Sequence, residues 1–247
     1  MRSTRLYDDT LRDALGCRAV WPPVLAKVAL GDFGEVDDGV FRRLGNVAEF
    51  GLTFATERGE PSRLDLTSSD VRMTRFAGGL EVPSLAGRGD VAARLRVEFG
   101  RSDGFLIKCA RVELEQIADL GGLARRLHGA RAPDGRRWRP LAWRLVWQVY
   151  TGRDVIFFAA RSAGSHVELH GKAAGLHGLA ASAGLSSQHA ADLALEVVGQ
   201  SGPVGLGLAR VRLAGGVKFF ADDPDAPDDE WFERLDADAD AAPDPEP

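Results

Sequence analysis

The sequence predicts an α+β protein that combines a twisted antiparallel sheet with a few helices and ends in a short C-terminal tail. Five stretches alternate apolar and polar residues with a period of two, which is typical of strands that bury one face. Other segments repeat apolar residues at helical spacing, so we expect helices beside the sheet. The last part of the chain is acidic and rich in proline, the composition of a solvated tail.

The first predicted hairpin spans residues 90–112. Leu95, Val97 and Phe99 alternate there with charged residues, so that one face of the strand is apolar. The polar segment 101–104 ends in glycine and interrupts the alternation, as expected for a turn. We therefore expect two antiparallel strands that share one buried face.

Residues 144–170 repeat this layout. Turns predicted at 151–154 and 163–165 divide the segment into three antiparallel strands. Further strands are predicted at Phe50–Ala55, Leu64–Phe76, Leu206–Leu213 and Val217–Phe220.

Three helices are predicted from apolar spacing and from the residues that begin or end helices. The first is Asp9–Leu15, which ends at Gly16. The longest is Glu113–His128, in which the pair Gly121–Gly122 costs about 1 kcal/mol per residue relative to alanine and indicates a kink or a break. The third is Ser187–Val198.

Charge divides the chain into two parts. Its 247 residues include 45% hydrophobic residues, enough for a sizeable core, and carry a net charge of −5. Beyond Ala221 there are 12 acidic residues against the single Arg234, a net of −11, so the preceding body carries +6. We therefore expect a folded domain at 1–220 and an acidic tail at 221–247. The tail either masks an attraction to an anionic surface or only solubilises the protein.

Cysteine content and hydropathy favour a cytosolic protein. Cys17 and Cys109 are too few for a disulfide framework, which fits a reducing compartment. The charged segment Met1–Arg5 does not lead into the apolar core of a signal peptide. No apolar run approaches the roughly 20 residues that a membrane-spanning helix needs.

No enzyme signature stands out, so we expect a protein without catalytic residues, metal or cofactor. His166, Glu168 and His170 point from one face of a strand, as two metal ligands with a carboxylate beside them would, but a solvated polar face is the more common explanation of such a triplet. No nucleophile-elbow pattern surrounds Ser165 or another serine. Neither a phosphate-binding loop nor a dinucleotide fingerprint occurs.

Arginines concentrate in one segment in which two tryptophans are interleaved. This pattern fits an anionic lipid surface or single-stranded nucleic acid, and equally a basic loop that the acidic tail balances. The arginines and tryptophans of this segment are Arg125, Arg126, Arg131, Arg136, Arg137, Trp138, Arg139, Trp143 and Arg144.

The acidic tail contains one apolar island, formed by Trp231, Phe232 and Leu235. Two aromatic residues beside a leucine at helical spacing are costly to leave in water. We therefore expect this island to pack on the body of the protein.

The order of elements resembles that of bacterial gasdermins, a family of membrane pore-formers that a short C-terminal segment holds inactive. Phe105–Leu127 is similar to a strand and the helix that follows it in the family, Trp143–Phe158 to the next strand pair, and Pro203–Leu213 to a closing strand. These three segments amount to about a fifth of the chain.

The resemblance implies a protein that oligomerises in membranes once its C-terminal segment is removed or released. Under it, Leu64–Phe99 and His166–Val198 would lengthen into hairpins, the second by unwinding its predicted helix and the Gly/Ala/Ser-rich segment Gly171–Leu185. The tail would be inhibitory, with Trp231, Phe232 and Leu235 as its contact residues. The implied partners are anionic membrane lipid, an activating protease and further copies of the chain, and nucleic acid is not among them. The protein would move from the cytoplasm to the inner face of the cell membrane.

The same arginine segment then becomes the implied lipid-binding surface. Its members under this interpretation are Arg125, Arg126, Arg131, Arg136, Arg137, Trp138 and Arg139.

Two other classes of function remain open from the sequence. One is a non-enzymatic binding module whose antiparallel sheet holds a protein partner or an apolar ligand. The other is a metal-dependent enzyme with an ion at His166 and His170.

Overall fold

The computed structural model describes residues 2–37, 39–84, 86–88, 90–139, 142–172, 186–211 and 217–219. Within them lie two α-helices, α1 (Arg2–Leu15) and α2 (Leu120–His128), and a 3-10 turn at Val47–Phe50. The strands are β1 (Arg18–Ala19), β2 (Asp32–Asp37), β3 (Val40–Asn46), β4 (Thr56–Arg58), β5 (Ser62–Thr67), β6 (Val71–Ala77), β7 (Leu80–Glu81), β8 (Ala92–Phe99), β9 (Phe105–Ile117), β10 (Arg144–Ala160), β11 (His166–Lys172), β12 (Ser186–Ala191), β13 (Leu193–Val211) and β14 (Val217–Phe219).

These strands form two antiparallel sheets. In the larger sheet, sheet A, the long strands β9, β10 and β13 lie side by side, and β4 and β5 pair with the free edge of β9. The short strands β1 and β14 pair with β13, while the β2–β3 hairpin pairs with the beginning of β10. The smaller sheet, sheet B, has the order β12, β11, β8, β6, β7. The α+β class and the antiparallel sheet predicted from the sequence are confirmed.

Helix α1 covers one face of sheet A because its buried residues lie three and four positions apart. Tyr7 and Leu11 are completely buried, together with Thr4 and Asp8 of the same helix face. The ring of Tyr7 packs against Phe105 and Phe157 of the central strands, with ring centroids 5.4 and 5.2 Å apart. This helix begins at Arg2, seven residues before the predicted start, and ends before Gly16 as predicted.

Helix α2 packs at the other end of sheet A, in a cluster that is rich in aromatic residues. Its completely buried Leu123 and Leu127 belong to the cluster that also holds Phe33, Trp138 and Trp143. The Phe33 and Trp143 rings are stacked 4.7 Å apart.

The longest predicted helix, Glu113–His128, is wrong in its first part. Residues up to Ile117 belong to β9, where they pair with both β4 and β10, and the helix begins only at Leu120. The Asp119 side chain accepts a hydrogen bond from the Gly122 N–H at 2.7 Å and so caps the new helix start. Pairing on both edges of β9 outweighs a helical pattern that a strand could also satisfy.

The predicted helix Ser187–Val198 is wrong as well. This segment contains β12 and the beginning of β13, separated at Asp192, whose φ of 55° lies in the left-handed region. Leu195 and Val197 face the α1 side of sheet A; the β13 part of the segment pairs with β10, and β12 pairs with β11. Weak helix propensity is overridden because β10 offers a complete edge for pairing.

The hairpin predicted at 90–112 is wrong, because β8 belongs to sheet B and β9 to sheet A, and the turn predicted at 163–165 likewise joins strands of different sheets, β10 and β11. Three further predictions differ in detail. The turn predicted at 151–154 is an irregularity within the continuous strand β10, and Leu64–Phe76 is divided into β5 and β6. Phe50–Ala55 is not a strand, because Val47–Phe50 forms the 3-10 turn that Asn46 caps. The apolar island of the tail lies outside the described residues, as does the middle of the Gly/Ala/Ser-rich segment, residues 173–185.

Candidate functional site

Sheet B is folded back over sheet A, and its strands are continuations of sheet A strands. The sheet A strands β5, β9, β10 and β13 are neighbours in that order, and the sheet B strands joined to them, β6, β8, β11 and β12, are neighbours in the same order. Each sheet A strand is joined to its sheet B strand by one short connection. We call these connections the four corners: residues 68–70, 100–104, 161–165 and Asp192. The two segments predicted to lengthen into hairpins, Leu64–Phe99 and His166–Val198, supply every strand of sheet B.

An apolar interface holds sheet B against sheet A. Eight large side chains meet there: Leu95, Val97, Phe99, Leu106, Ile156, Phe158, Val167 and Leu169. Each is at most 1% exposed. Separating the sheets in water would expose all eight, at a cost on the order of 1.5–3 kcal/mol for each side chain. The closed arrangement is therefore strongly favoured as long as water is the only solvent.

The opposite face of sheet B is charged. Glu168 lies between two arginines, with Arg94 Nη1 at 3.4 Å from its Oε2 and Arg96 Nη1 at 3.6 Å from its Oε1. The Arg94 guanidinium also lies 4.4 Å from the centroid of the Phe76 ring. The alternation predicted for β8 thus separates an apolar interface from a charged outer face.

The metal-site interpretation of His166, Glu168 and His170 gains no support from this arrangement. His170 Nε2 is 3.7 Å from Glu168 Oε2, and that carboxylate already contacts two arginines. Across the part of the chain that the structure describes, no group of three or more histidine, cysteine, aspartate or glutamate residues is placed to hold a metal ion.

The corners lie in one row and are hydrogen-bonded to one another through Ser165. Its hydroxyl oxygen lies 2.7 Å from the carbonyl oxygens of both Asp192 and Ser162, and it accepts a hydrogen bond from the Ser162 N–H at 3.2 Å. The Ser165 carbonyl accepts from the Phe99 N–H at 2.9 Å, at the end of β8. Ser165 is 1% exposed, so these bonds form away from water. One buried serine therefore connects three of the four corners.

A second serine ties the remaining corner to β9. The Ser68 hydroxyl accepts a hydrogen bond from the Phe105 N–H at 3.0 Å, and the Ser68 N–H donates to the Phe105 carbonyl at 3.0 Å. The Gly100 N–H donates to the Asp70 carbonyl at 3.1 Å. Sequence analysis marks several of these residues as turns, but it does not reveal that the turns lie beside one another.

The predicted lipid-binding arginines lie together on the surface beside α2. All six are exposed: Arg125, Arg126, Arg131, Arg136, Arg137 and Arg139. Arg125 and Arg126 lie in the last turn of α2, and the loop that follows packs beside the helix, with an isolated bridge between Arg131 and Arg137. We call these six residues the arginine surface.

Acidic neighbours fix one member of the arginine surface. Arg136 Nε lies 2.6 Å from Asp134 Oδ2, and its Nη2 lies 2.7 Å from Glu49 Oε2. Hydrogen bonds from Asp134 and then Glu49 raise the pKa of Arg136, and the bond to Arg136 lowers the pKa of Glu49. Trp138 differs from the arginines, because it is 6% exposed and packs among the aromatic residues of the α2 core. It is therefore not on the surface of this conformation.

The last described strand, β14, lies beside α2. Strand β14 pairs with the end of β13 and contacts α2, and Val217 packs into the α2 core. The acidic tail begins directly after this strand. In the ranges described by the structure, no helix is long and apolar enough to span a membrane.

Two solved structures are similar to this chain. A bacterial gasdermin from Bradyrhizobium tropiciagri has 12% sequence identity, with 87% of this chain and 90% of that chain covered and a TM-score of 0.37. The gasdermin A3 membrane pore has 10% identity, with 91% and 96% covered and a TM-score of 0.27. The gasdermin resemblance predicted from the sequence is confirmed at this level of likeness. No family model and no curated protein matches the sequence. Since both TM-scores lie below 0.5, the functional argument rests on this chain's own residues.

Proposed function

We propose that this chain is an autoinhibited pore-forming protein that oligomerises in membranes after its C-terminal segment is removed or released. Residues 1–220 form the pore-forming domain, and residues 221–247 form the inhibitory tail. The activator is a protease that acts near their boundary. The protein acts without catalytic residues or a cofactor.

The observation that carries the proposal is the matching strand order of the two sheets. If the four corners straightened, each sheet B strand would continue its sheet A strand, and every strand would keep its present neighbours. The segment from β8 through β9, Ala92–Ile117, would then be a single strand of about 85 Å at roughly 3.3 Å per residue. A strand that crosses a bilayer needs about 9–11 residues, so this length is ample.

Straightening of the corners is unfavourable in water and becomes favourable in lipid. Straightening exposes the apolar residues of the interface along one face of the lengthened strands and leaves the charged residues of β8 and β11 on the other. In hydrocarbon, the exposed apolar face costs nothing. Unpaired strand edges are costly there, because backbone N–H and C=O groups have no water to bind. Neighbouring copies would pair these edges, so insertion requires a homo-oligomer.

The arginine surface is the proposed contact with anionic membrane lipid. Six exposed guanidinium groups suit phosphate headgroups, and each of them except Arg136, which is already ion-paired with Asp134 and Glu49, contributes about 1 kcal/mol near a negatively charged bilayer. Trp138 joins this contact only if the α2 core loosens at the membrane. Nucleic acid is not a partner under this proposal. The protein would wait in the cytoplasm and act at the inner face of the cell membrane.

The tail is proposed to hold the arginine surface inactive. It follows β14, which contacts α2, and it carries 12 acidic residues, so it offers counter-charge to the arginine surface. Trp231, Phe232 and Leu235 would anchor it on an apolar part of the body. Removing the tail would leave the arginine surface open to lipid.

Leakage from dye-loaded vesicles tests the proposal. A specific protease site is inserted after Phe220 in the full chain, and the wild-type chain treated with the same protease is the control. We expect leakage from anionic vesicles only after cleavage, with larger assemblies on sucrose gradients. Cleaved protein that remains monomeric beside intact vesicles would contradict the proposal and favour the binding-module alternative.

A charge variant tests the lipid contact separately. Arg125→Gln combined with Arg126→Gln removes two cations from the arginine surface, worth roughly 2 kcal/mol of membrane affinity at low salt. The matched control changes Arg58 and Arg88, both exposed and outside this surface. We expect the first pair to bind anionic vesicles more weakly by roughly thirtyfold and the control pair to bind like the wild type. Equal binding by both pairs would show that these arginines are not the lipid contact.

A further inference from the structure

The four corners differ in how they are held, and this difference assigns a role to Ser165. Three of the corners are joined by hydrogen bonds that involve Ser165 or its direct neighbours. Arg161 N–H donates to the Asp192 carbonyl at 2.8 Å, and the Ser165 hydroxyl lies 2.7 Å from the same oxygen. Gly164 N–H donates to the Phe99 carbonyl at 2.8 Å. The Arg161 N–H bond continues the register of β10 with β13, so a straightened sheet can keep it, whereas the bond of the Ser165 hydroxyl to Asp192 belongs to neither ladder and joins two corners in the folded-back arrangement.

We propose that Ser165 is the residue that couples the corners and sets the rate at which sheet B opens. The inference rests on the proposed function, since opening has a role only in a protein that converts. Ser165 is a positioning residue: it contacts no lipid, and it acts by holding the backbone of β10, β11 and β13 in the folded-back arrangement. The ladder bonds within each sheet are the same before and after opening, so the bond of the Ser165 hydroxyl to the Asp192 carbonyl, which belongs to neither ladder, is among the few that must break.

Backbone strain at Asp192 acts against the hydrogen bond that the Ser165 hydroxyl makes with the same residue. The φ of 55° at Asp192 is costly for a residue with a Cβ atom and is imposed by the reversal between β12 and β13. In a straightened strand Asp192 would return to the extended region. The strain at Asp192 therefore favours opening, while the Ser165 hydroxyl opposes it.

Two pairs of variants separate this role from general stability. Ser165→Ala removes the hydroxyl between the corners, and its control, Ser201→Ala, removes a hydroxyl that accepts from the Asp154 N–H at 3.2 Å in the middle of β10 and β13. Asp192→Gly relieves the positive φ at the corner, and its control, Asp154→Gly, relieves a φ of 51° in the remote irregularity of β10.

The measurement is the rate of vesicle leakage after cleavage of the full chain, with anionic vesicles in excess. Since a buried hydrogen bond contributes about 1 kcal/mol, we expect Ser165→Ala to leak roughly fivefold faster than wild type. Asp192→Gly is expected to leak more slowly than wild type. Both control variants are expected to leak at the wild-type rate. A Ser165→Ala rate equal to that of Ser201→Ala would overturn the assignment.

Hydrogen exchange of the uncleaved chain gives a readout that does not depend on pore formation. In Ser165→Ala, the amides of Phe99, Arg161 and Gly164 should exchange faster together, while those in the middle of β10 stay protected. If these three amides keep their wild-type protection, Ser165 does not couple the corners. If cleaved wild-type protein fails to leak while these amides respond as expected, the proposed function fails and the coupling stands.

Discussion

At the scale of single residues, the two thiols show how completely the α1 face of sheet A excludes water. Cys17 is 1% and Cys109 2% exposed, and both belong to the cluster around Tyr7. Burial raises the pKa of each thiol to about 12, and for Cys17 the nearby Asp8 carboxylate adds to the effect. Burial likewise raises the pKa of Tyr7 well above its ordinary value. The sequence-based expectation of reduced cysteines fits these two free thiols.

These thiols predict a loss of stability in alkaline solution. In the unfolded chain a thiol ionises near pH 8.5, whereas in the fold it stays protonated to about pH 12. Above about pH 8.5 the unfolded state therefore binds fewer protons, and the free energy of unfolding falls as pH rises. At about pH 10 each thiol accounts for roughly 2 kcal/mol of this loss.

Urea unfolding of Cys109→Ala at about pH 8 and pH 10 measures the sign and size of this loss of stability. The variant starts less stable because it lacks a buried side chain, but it should lose roughly 2 kcal/mol less than the wild type between the two pH values. An equal loss in both proteins would mean that Cys109 ionises in the fold as readily as in the unfolded chain.

At the scale of elements, α2 contains two adjacent glycines with opposite structural roles. A Cβ atom on Gly121 would have its nearest neighbour, the Arg125 side chain, at 3.7 Å, an ordinary contact. On Gly122 it would lie 1.9 Å from the Asp119 carboxylate that caps the helix. The sequence indicates a break at this pair, and the structure shows instead that the helix starts there.

Alanine substitutions should therefore shift stability in opposite directions. Gly121→Ala is expected to raise the free energy of unfolding by up to about 1 kcal/mol, because alanine loses less backbone entropy in a helix. Gly122→Ala is expected to lower it by about 1 kcal/mol, because the Cβ atom displaces the capping carboxylate. Thermal unfolding of both variants beside wild type measures the difference, and shifts of the same sign would contradict this account of the cap.

The sequence predicts an element well where that element buries one face and exposes the other. Strand β8 alternates strictly, because Leu95, Val97 and Phe99 face the interface while their neighbours are on the outer face of sheet B. The segment 187–198 carries small residues that fit either period, so its pairing with β11 and β10 decides the outcome. Two of the corners contain turns predicted at 101–104 and 163–165, whereas residues 68–70 are predicted within a strand and Asp192 within a helix. Contacts such as that of Ser165 with Asp192 join residues far apart in the sequence. Local patterns do not encode them.

At the scale of the whole molecule, the two sheets differ in how they are buried. The central strands of sheet A have α1 on one face and sheet B on the other, and both faces are apolar. Sheet B has only one apolar face, and its outer face of charged residues is hydrated. Sheet B has one packed face and four short connections. Separating it from sheet A should therefore need less free energy than unfolding sheet A.

Native-state hydrogen exchange in rising urea tests this difference. We expect the amides of β8 and β11 to exchange through a common opening that leaves the amides of β9 and β10 protected. Their opening free energies should be equal to one another and lower than the global value. Exchange of all four strands with a single free energy would mean that the two sheets unfold as one unit.

The matching strand order also bears on what happens to a molecule that opens where no bilayer is present. Opening breaks none of the hydrogen-bond ladders between strands, so every strand pair keeps its register. Closure then requires only that the corners bend again and the apolar surfaces meet. Opening in water would therefore be reversible without refolding, and a molecule that opened away from a membrane could close and open again.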